Sequence, residues 1–369
     1  MHSDLILGIV VFTALAFDFT NGFHDTANVV ASAISTRAIA PRPAIAMASL
    51  LNFVGAFISL KVASTVGQGF VDTHDVTTTV VFAGLAGAIT WNLLTWYLGL
   101  PSSSSHALIG GLIGSVIASD GFAGVDGTGV LDKLVMPALV APVLAFVVAW
   151  SAIVLVYRIV GGLRPGTVNR GFRGGQLASS GLLALSHGTN DAQKTMGVIT
   201  LALIANGDVS STGFHVPVWV IVASATAISL GTLSGGWRII RTMGTRLIKM
   251  DPAQGFAAQT AGAAVILAAS SFGYPLSTTH VISGGIVGAG AAKRFSAVRW
   301  GVAGDIAGAW VLTLPAAAIF GGGVDLASRA FGDGAAGPLV ITAVSVAVLA
   351  GVLGRRARIQ RATPSAAAA

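Results

Sequence analysis

Residues 99–106 read GLPSSSSH, and residues 273–280 read GYPLSTTH. Both stretches contain a glycine, a proline, hydroxyl-bearing residues and a histidine in the same order, and a Gly-Gly pair follows each of them, at 110–111 and 284–285. A pattern of this length that occurs twice in one chain indicates an internal repeat, and a repeat constrains the architecture. The sequence therefore predicts two related halves.

A second pair of matching stretches lies upstream of the first in each half. Residues 21–28 read NGFHDTAN and residues 187–194 read HGTNDAQK, and they match at a glycine and at Asp25 and Asp191. Each half thus contains an aspartate motif, then apolar segments, then the proline-hydroxyl-histidine motif.

The composition is that of a chain embedded in lipid. Of 369 residues, 54% are hydrophobic and only 9% are charged, and the mean hydropathy is +0.81. An average soluble domain has roughly 25% charged residues. We predict an all-α, polytopic membrane protein with about eleven membrane segments, each long enough to cross the hydrocarbon core. The segments lie near residues 5–35, 43–63, 78–97, 103–119, 134–157, 177–205, 216–236, 255–270, 278–292, 300–320 and 337–353.

The loops between these segments alternate in charge. Loops rich in lysine and arginine are expected to face the cytoplasm, and we place the aspartate-rich loops outside. The basic loops are at 37–42, 158–173, 238–249, 293–299 and 355–361, and the acidic loops carry Asp72, Asp75, Asp120, Asp126, Asp132, Asp208, Asp325 and Asp333. The pattern predicts a multi-pass plasma-membrane protein with a cytoplasmic C-terminus. Because these loops explain the net charge of +7, no nucleic-acid partner is expected.

The same charge pattern makes the helices of Asp25 and Asp191 cross the membrane in opposite directions. We therefore predict inverted-topology repeats with a functional site where they meet. The connecting segments 97–105 and 270–278 contain no charged residue, which predicts two re-entrant helical hairpins with buried tips. The predicted units are a first repeat at 1–160, a basic cytoplasmic linker at 161–176, an inverted second repeat at 177–325, and a last helix with a basic tail at 326–369.

The hydroxyl groups of the second motif are predicted to bind an oxyanion such as phosphate. Proline is favourable at the start of a helix, where unpaired backbone N–H groups and the helix dipole attract negative charge. The candidate phosphate-binding residues are Ser102, Ser103, Ser104, Ser105, Ser277, Thr278 and Thr279. The alternative is that these residues only cap their helices.

The aspartate motif is predicted to bind the coupling cation. Ionisable residues inside a membrane segment are costly and therefore functional candidates. We expect glycine and asparagine to loosen these helices, so that freed carbonyl groups join Asp25 and Asp191 around a small cation. The alternative is that the carboxylates pair with Lys194 or with helix ends and only stabilise the bundle. The sequence leaves open whether Lys194 compensates Asp191 or attracts the anion, and it leaves the roles of Asp18 and Asp305 undecided.

The histidines that end the second motif, His106 and His280, have two interpretations. They could contact the anion or relay a proton, or each could make a structural hydrogen bond to a nearby carbonyl. The chain contains no cysteine, so thiolate metal sites and disulfides are excluded. No cofactor and no dedicated metal site are expected. The first apolar run lacks a basic n-region, so we predict a retained helix rather than a cleaved signal.

These motifs resemble the paired signatures of the Pit family of inorganic phosphate transporters, and the likeness extends over nearly the whole chain. The stretches NGFHDTAN and WNLLTWY (residues 91–97) are most similar to the bacterial low-affinity branch. The resemblance implies proton-coupled uptake, with phosphate carried as a divalent-metal complex; sodium coupling occurs elsewhere in the family. It also implies cation ligands at Asp25, Asn28, Asn190 and Asp191. The segment 163–176 is shorter than the insertion that many relatives carry.

The expected activity is therefore secondary active import of phosphate by symport, with protons favoured over sodium. The expected partners are inorganic phosphate, a coupling cation and the lipid bilayer, and a homodimer is left open. An intramembrane hydrolase using Ser105 or Thr279 with the adjacent histidine is disfavoured, because neighbouring side chains at a helix start point apart. A passive anion channel is the remaining alternative.

Overall fold

The computed structural model describes residues 2–71, 76–210, 213–332 and 334–347. Within these ranges the chain is helical, and its only extended pairing consists of two isolated bridges. The all-α prediction is confirmed. The acidic residues Asp72, Asp75 and Asp333, and the basic cluster at 355–361, lie outside the described residues. The end of the predicted segment 337–353 also lies outside them.

The helices are numbered here in chain order. They are α1 (His2–Ser35), α2 (Pro41–Gly55), α3 (Lys61–Gln68), α4 (Thr78–Leu98), α5 (Ser104–Asp120), α6 (Gly127–Val130), α7 (Met136–Val160), α8 (Pro165–Asn206), α9 (Val218–Ser234), α10 (Trp237–Arg241), α11 (Pro252–Ser271), α12 (Thr278–Lys293), α13 (Trp300–Arg329) and α14 (Ala336–Ala347).

Among the described residues, five helical segments are long and apolar enough to cross a membrane, and α9 together with Trp237–Arg246, bent by 59°, would make a sixth. The five are Asp4–Ser35, Thr78–Leu98, Ser104–Gly124, Gly127–Val160 and Trp300–Arg329. The count of eleven stays a prediction. Helix α8 is long enough to span, at about 63 Å for a rise of 1.5 Å per residue. Its motif carries polar side chains that are buried in the protein, which lowers the hydropathy of the helix without exposing those groups to lipid.

Two stretches differ from the sequence-based prediction. The predicted segment 43–63 is divided into α2 and α3, with a non-helical break at 56–60. The predicted linker 161–176 is irregular only to Arg164, because α8 begins at Pro165 and runs without interruption through the linker and the aspartate motif. Proline supplies a favourable first residue for that helix, and its arginines lie on exposed turns.

Helix packing occurs in matching pairs. Helix α1 packs on α9, and α8 packs on α2; α5 packs on α13, and α12 packs on α7. The pairs α4 with α5 and α11 with α12 form helical hairpins. The helices that carry the four motifs therefore lie side by side in the interior, where α1 contacts α8, α12 and α5.

Glycines allow the hairpin helices to pack closely on their neighbours. A Cβ atom on Gly114 of α5 would lie 2.0 Å from the carbonyl oxygen of Ala318, and one on Gly288 of α12 would lie 2.3 Å from that of Phe146. Both distances are far inside van der Waals contact. The glycines that follow each histidine thus set the distance between helices, as small residues do in membrane proteins.

Candidate functional site

The two aspartate motifs lie in the middle of unbroken helices. Both α1 and α8 continue through their motifs, so the expectation of a loosened backbone with freed carbonyls is wrong. The glycines serve packing instead. A Cβ atom on Gly22 would lie 2.3 Å from Ile228 O, and one on Gly188 would lie 2.2 Å from Asn52 O. The cation ligands offered here are therefore side chains.

The carboxylates of Asp25 and Asp191 lie close together in the interior. Thr278 Oγ1 is 3.2 Å from Asp25 Oδ2 and 3.3 Å from Asp191 Oδ2. With His187, the two aspartates form a group whose ligand atoms all lie within 4.8 Å of one another, and all three residues are buried. Such a group of carboxylate and imidazole ligands is suited to a cation.

Among the described residues, the hydrogen-bonding neighbours of Asp25 include no lysine or arginine. His24 Nδ1 lies 2.8 Å from Asp25 Oδ1, and its Nε2 lies 3.3 Å from both Thr95 Oγ1 and Ser102 Oγ. Those two hydroxyl groups are 2.7 Å apart. Asn28 Nδ2 donates to Thr279 Oγ1 at 2.9 Å. The histidine thus connects the first carboxylate to the tip of the first hairpin.

Around Asp191 the neighbours include a buried lysine. The ammonium group of Lys194 donates to Asp191 Oδ1 and to Ser105 Oγ, and to Leu276 O at 2.8 Å. Asn190 Nδ2 donates to two of these three acceptors, Asp191 Oδ1 at 2.7 Å and Leu276 O at 2.8 Å. His187 Nε2 lies 2.9 Å from Asp191 Oδ2. The second carboxylate is therefore compensated by a fixed positive charge.

The hydroxyl groups of the hairpin tips divide into two kinds. Ser103 and Ser277 accept hydrogen bonds from the backbone N–H of His106 and His280, which makes them the N-caps of α5 and α12. The hydroxyls of Thr278 and Thr279 instead face the carboxylate of Asp25, at 3.2 and 3.5 Å. Ser105 Oγ donates to Leu276 O at 3.2 Å. The two tips therefore touch, and capping accounts for one residue of each.

Burial of the connecting segments is only partial. The residues from Pro101 and from Pro275 onward are buried, whereas Tyr97, Leu98 and Phe272 are exposed. The prediction of wholly buried segments at 97–105 and 270–278 is therefore too broad. A left-handed backbone at Gly99 and Gly273, with φ of 70° and 85°, turns each chain from the exposed part toward the interior. Glycine adopts this conformation without strain.

The two histidines lie next to each other. The ring centroids of His106 and His280 are 4.7 Å apart, and His280 stacks on Trp310 at 4.1 Å. His280 Nδ1 lies 3.5 Å from Ala138 O. His280 thus makes a contact to a carbonyl of the kind that the structural interpretation expects. A role of either histidine in proton transfer or anion contact stays a prediction.

Asp18 and Asp305, whose roles the sequence left undecided, differ in burial. Asp18 is fully buried on α1, about two turns before Asp25, whereas Asp305 lies on an exposed face of α13. Thr95 and Asn52 had no predicted role, although Thr95 Oγ1 lies 3.3 Å from His24 Nε2 and Asn52 Oδ1 lies 3.1 Å from His187 Nδ1. Nothing distinguishes an isolated threonine or asparagine in a sequence, so only their positions in the fold identify them.

The described residues form helices, several of which are long and apolar enough to cross a membrane, and a buried group of charged residues lies between the motif helices. These features define an integral membrane protein with an internal site for a small polar solute. The chain belongs to the phosphate transporter family, whose sequence profile matches residues 21–165 and 162–321. This confirms the family suggested by the motifs. The relatives below carry the names of transporters, so this chain is a membrane transport protein and not an enzyme.

Several relatives are named "Probable low-affinity inorganic phosphate transporter". One from Mycobacterium bovis is 54% identical over 316 residues, covering 86% of this chain and 76% of its own. One from Bacillus subtilis is 45% identical over 320 residues, covering 86% and 96%. A solved structure titled "The sodium-dependent phosphate transporter" matches with a TM-score of 0.81 over 87% of this chain and 98% of its own. At 24% identity, that likeness shows the fold alone.

Proposed function

We propose that this protein is a secondary active transporter that imports inorganic phosphate by symport with a cation, protons being favoured over sodium. The observation that carries the proposal is the position of Thr278, which contacts both Asp25 and Asp191 from the tip of the second hairpin. One small volume is thereby bordered by two carboxylates and two hydroxyl-rich helix starts. An anion and its compensating cation can be held there together.

The starts of α5 and α12 form the phosphate side of the proposed site. Both begin beside a proline and a capping serine, so their unpaired N–H groups attract negative charge. Ser102, Ser104, Ser105, Thr278 and Thr279 supply buried hydroxyls beside those groups. Ser104 Oγ is buried without a hydrogen-bond partner among the described residues, and a buried hydroxyl of this kind is available to a ligand.

The carboxylates form the cation side of the proposed site, with Asn28 and Asn190 beside them. The adjacent His24 and Asp25 can hold or pass a proton between Nδ1 and the carboxylate, which are 2.8 Å apart. The grouping of Asp25, His187 and Asp191 would also accept a divalent ion that enters with phosphate.

The proposed mechanism is alternating access by two inverted repeats, 1–160 and 177–325, joined at 161–176 and followed by 326–369. The matching helix pairs support it, since α1 on α9 repeats as α8 on α2. Rocking one repeat against the other would expose the site first outward and then to the cytoplasm. A coupled cation is needed because an anion entering a negative-inside cell works against about 2.3 kcal/mol per charge per 100 mV.

Uptake of radioactive phosphate into proteoliposomes tests the proposal. An inward proton gradient, an inward sodium gradient and a phosphate gradient alone are imposed in separate samples. Concentrative uptake with the proton gradient, and not with the sodium gradient, is the expected result. Uptake that only dissipates the phosphate gradient would show a channel and end the symport proposal, and accumulation driven by sodium alone would reverse the choice of ion.

A further inference from the structure

The two aspartate motifs differ in charge at the third residue after the aspartate. Asn28 stands there in the first copy and Lys194 in the second. Their contacts correspond as well: Asn28 donates to Thr279, the residue before His280, and Lys194 donates to Ser105, the residue before His106. The asparagine amide and the lysine ammonium therefore occupy equivalent places, each crossing from one half to the hairpin tip of the other.

The contacts of the Lys194 ammonium are those of a bound cation. Its Nζ meets one carboxylate oxygen of Asp191, the hydroxyl of Ser105 and the carbonyl of Leu276. An ammonium group has three N–H donors, so these three acceptors satisfy it. Lys194 is only 1% exposed. Carboxylate, hydroxyl and carbonyl oxygens are also the ligands that small hard cations take.

The first copy has no such fixed charge. Among the described residues, Asp25 pairs with His24 and with no lysine or arginine. Its other close contacts are the hydroxyls of Thr278 and Thr279, at 3.2 and 3.5 Å. A buried carboxylate without a fixed positive charge beside it needs a cation or a proton. The two copies therefore offer similar ligands but differ in whether the protein supplies the positive charge itself.

We infer that the Lys194 ammonium is a resident cation that replaces one transported cation, so that only the Asp25 copy takes a coupling cation from solution. The inference rests on the proposed function. Because the resident charge stays attached to the protein, it compensates Asp191 and the bound anion in each cycle without crossing the membrane as cargo. The transporter then moves one cation fewer per phosphate than a site with two mobile cations.

Replacing Lys194 with asparagine tests the inference, because it gives the second copy the residue of the first. In proteoliposomes, K194N should acquire a dependence of phosphate uptake on sodium that the wild type lacks. It should also move about one additional positive charge per phosphate. The matched control is Lys293, which also pairs with an aspartate, Asp251, but whose side chain is 55% exposed. K293N should keep the wild-type charge per phosphate.

A binding measurement keeps the test decisive if K194N does not transport. Sodium titrated into detergent-purified protein should raise the melting temperature of K194N, but not that of the wild type or K194M. Methionine supplies no oxygen ligand, whereas asparagine does. A folded K194N protein that sodium does not stabilise would overturn the inference. An active K194N with a raised half-saturation for phosphate and unchanged charge movement would overturn it too, and would make Lys194 an anion contact.

The two proposals fail separately. If wild-type protein does not accumulate phosphate under any cation gradient, the symport proposal fails, while the sodium-dependent melting of K194N still decides the nature of the lysine site. If the wild type accumulates phosphate and K194N shows neither new sodium dependence nor sodium stabilisation, only the inference about Lys194 fails.

Discussion

Carboxylate oxygens of Asp25 and Asp191 lie within 4.8 Å of each other, although the two residues come from different halves of the chain. Two buried negative charges at this separation repel each other strongly. The protein compensates one of them with Lys194 and brings His24 and His187 against the pair. The remaining negative charge is the physical reason to expect that a cation enters with the anion.

Removing either carboxylate charge should abolish cation-driven accumulation of phosphate. D25N and D191N keep the shape of the side chain but lose the charge. We expect uptake under a proton gradient to fall roughly 30-fold or more, because losing one partner of a buried charge network costs at least about 2 kcal/mol. Radioactive phosphate uptake into proteoliposomes measures the effect.

The matched control for these variants is D208N. Asp208 is exposed just after α8, where it accepts a hydrogen bond from Asn206 at 2.8 Å. It should transport like the wild type. Near-normal accumulation by D25N and D191N would remove both residues from the cation site.

The hydroxyls of Ser105 and Thr279 should contribute to phosphate affinity. Each lost hydrogen bond to a charged ligand costs about 1.5–3 kcal/mol, so S105A and T279A should each raise the half-saturation concentration about tenfold or more. The control is S115A on the helix of Ser105, because Ser115 is buried and, within the part of the chain that the structure describes, bonds only to Leu112 O at 2.9 Å. Equal half-saturation in S105A, T279A and S115A would show that the tips are structural.

Close packing at the hairpin glycines predicts a loss of stability when a methyl group is added. G114A and G288A would place a Cβ atom 2.0 and 2.3 Å from a backbone oxygen of the neighbouring helix. Overpacking of this kind typically costs about 1–3 kcal/mol, so the melting temperature of purified protein should fall. Gly308, whose Cβ would meet nothing within 4 Å, is the control. G308A should melt at or above the wild-type temperature, and equal melting of all three variants would contradict the packing argument.

The orientation of the chain can be tested with single cysteines, since the natural sequence has none. Arg170 and Asp208 are both exposed, and they lie near opposite ends of α8. The charge rule places the basic end in the cytoplasm. A membrane-impermeant maleimide added to intact cells should therefore label D208C and leave R170C unlabelled until the membrane is opened. The reverse pattern would invert the proposed topology.

Much of the site could be predicted because its residues are costly in a membrane. Asp25, Asp191 and Lys194 stand out in the sequence as charges within apolar segments, and all three lie in the interior. The prediction that Gly22 and Gly188 loosen their helices is wrong. A glycine in a sequence does not show whether the helix opens there or packs closely on another helix. Thr95, Asn52 and the contacts of His187 could not be predicted, because ordinary polar residues give no signal until packing sets their neighbours.

The sequence alone determined the class of this protein, its family and its internal repetition. Those properties follow from composition and from the order of residues along the chain, which hydrophobicity and matched motifs report directly. Only the tertiary structure decided that Thr278 lies between Asp25 and Asp191, that Ser103 and Ser277 cap helices, and that the ammonium of Lys194 sits among three oxygens. These contacts join residues from both halves of the chain, and they form only when α1, α8 and the two hairpins pack together.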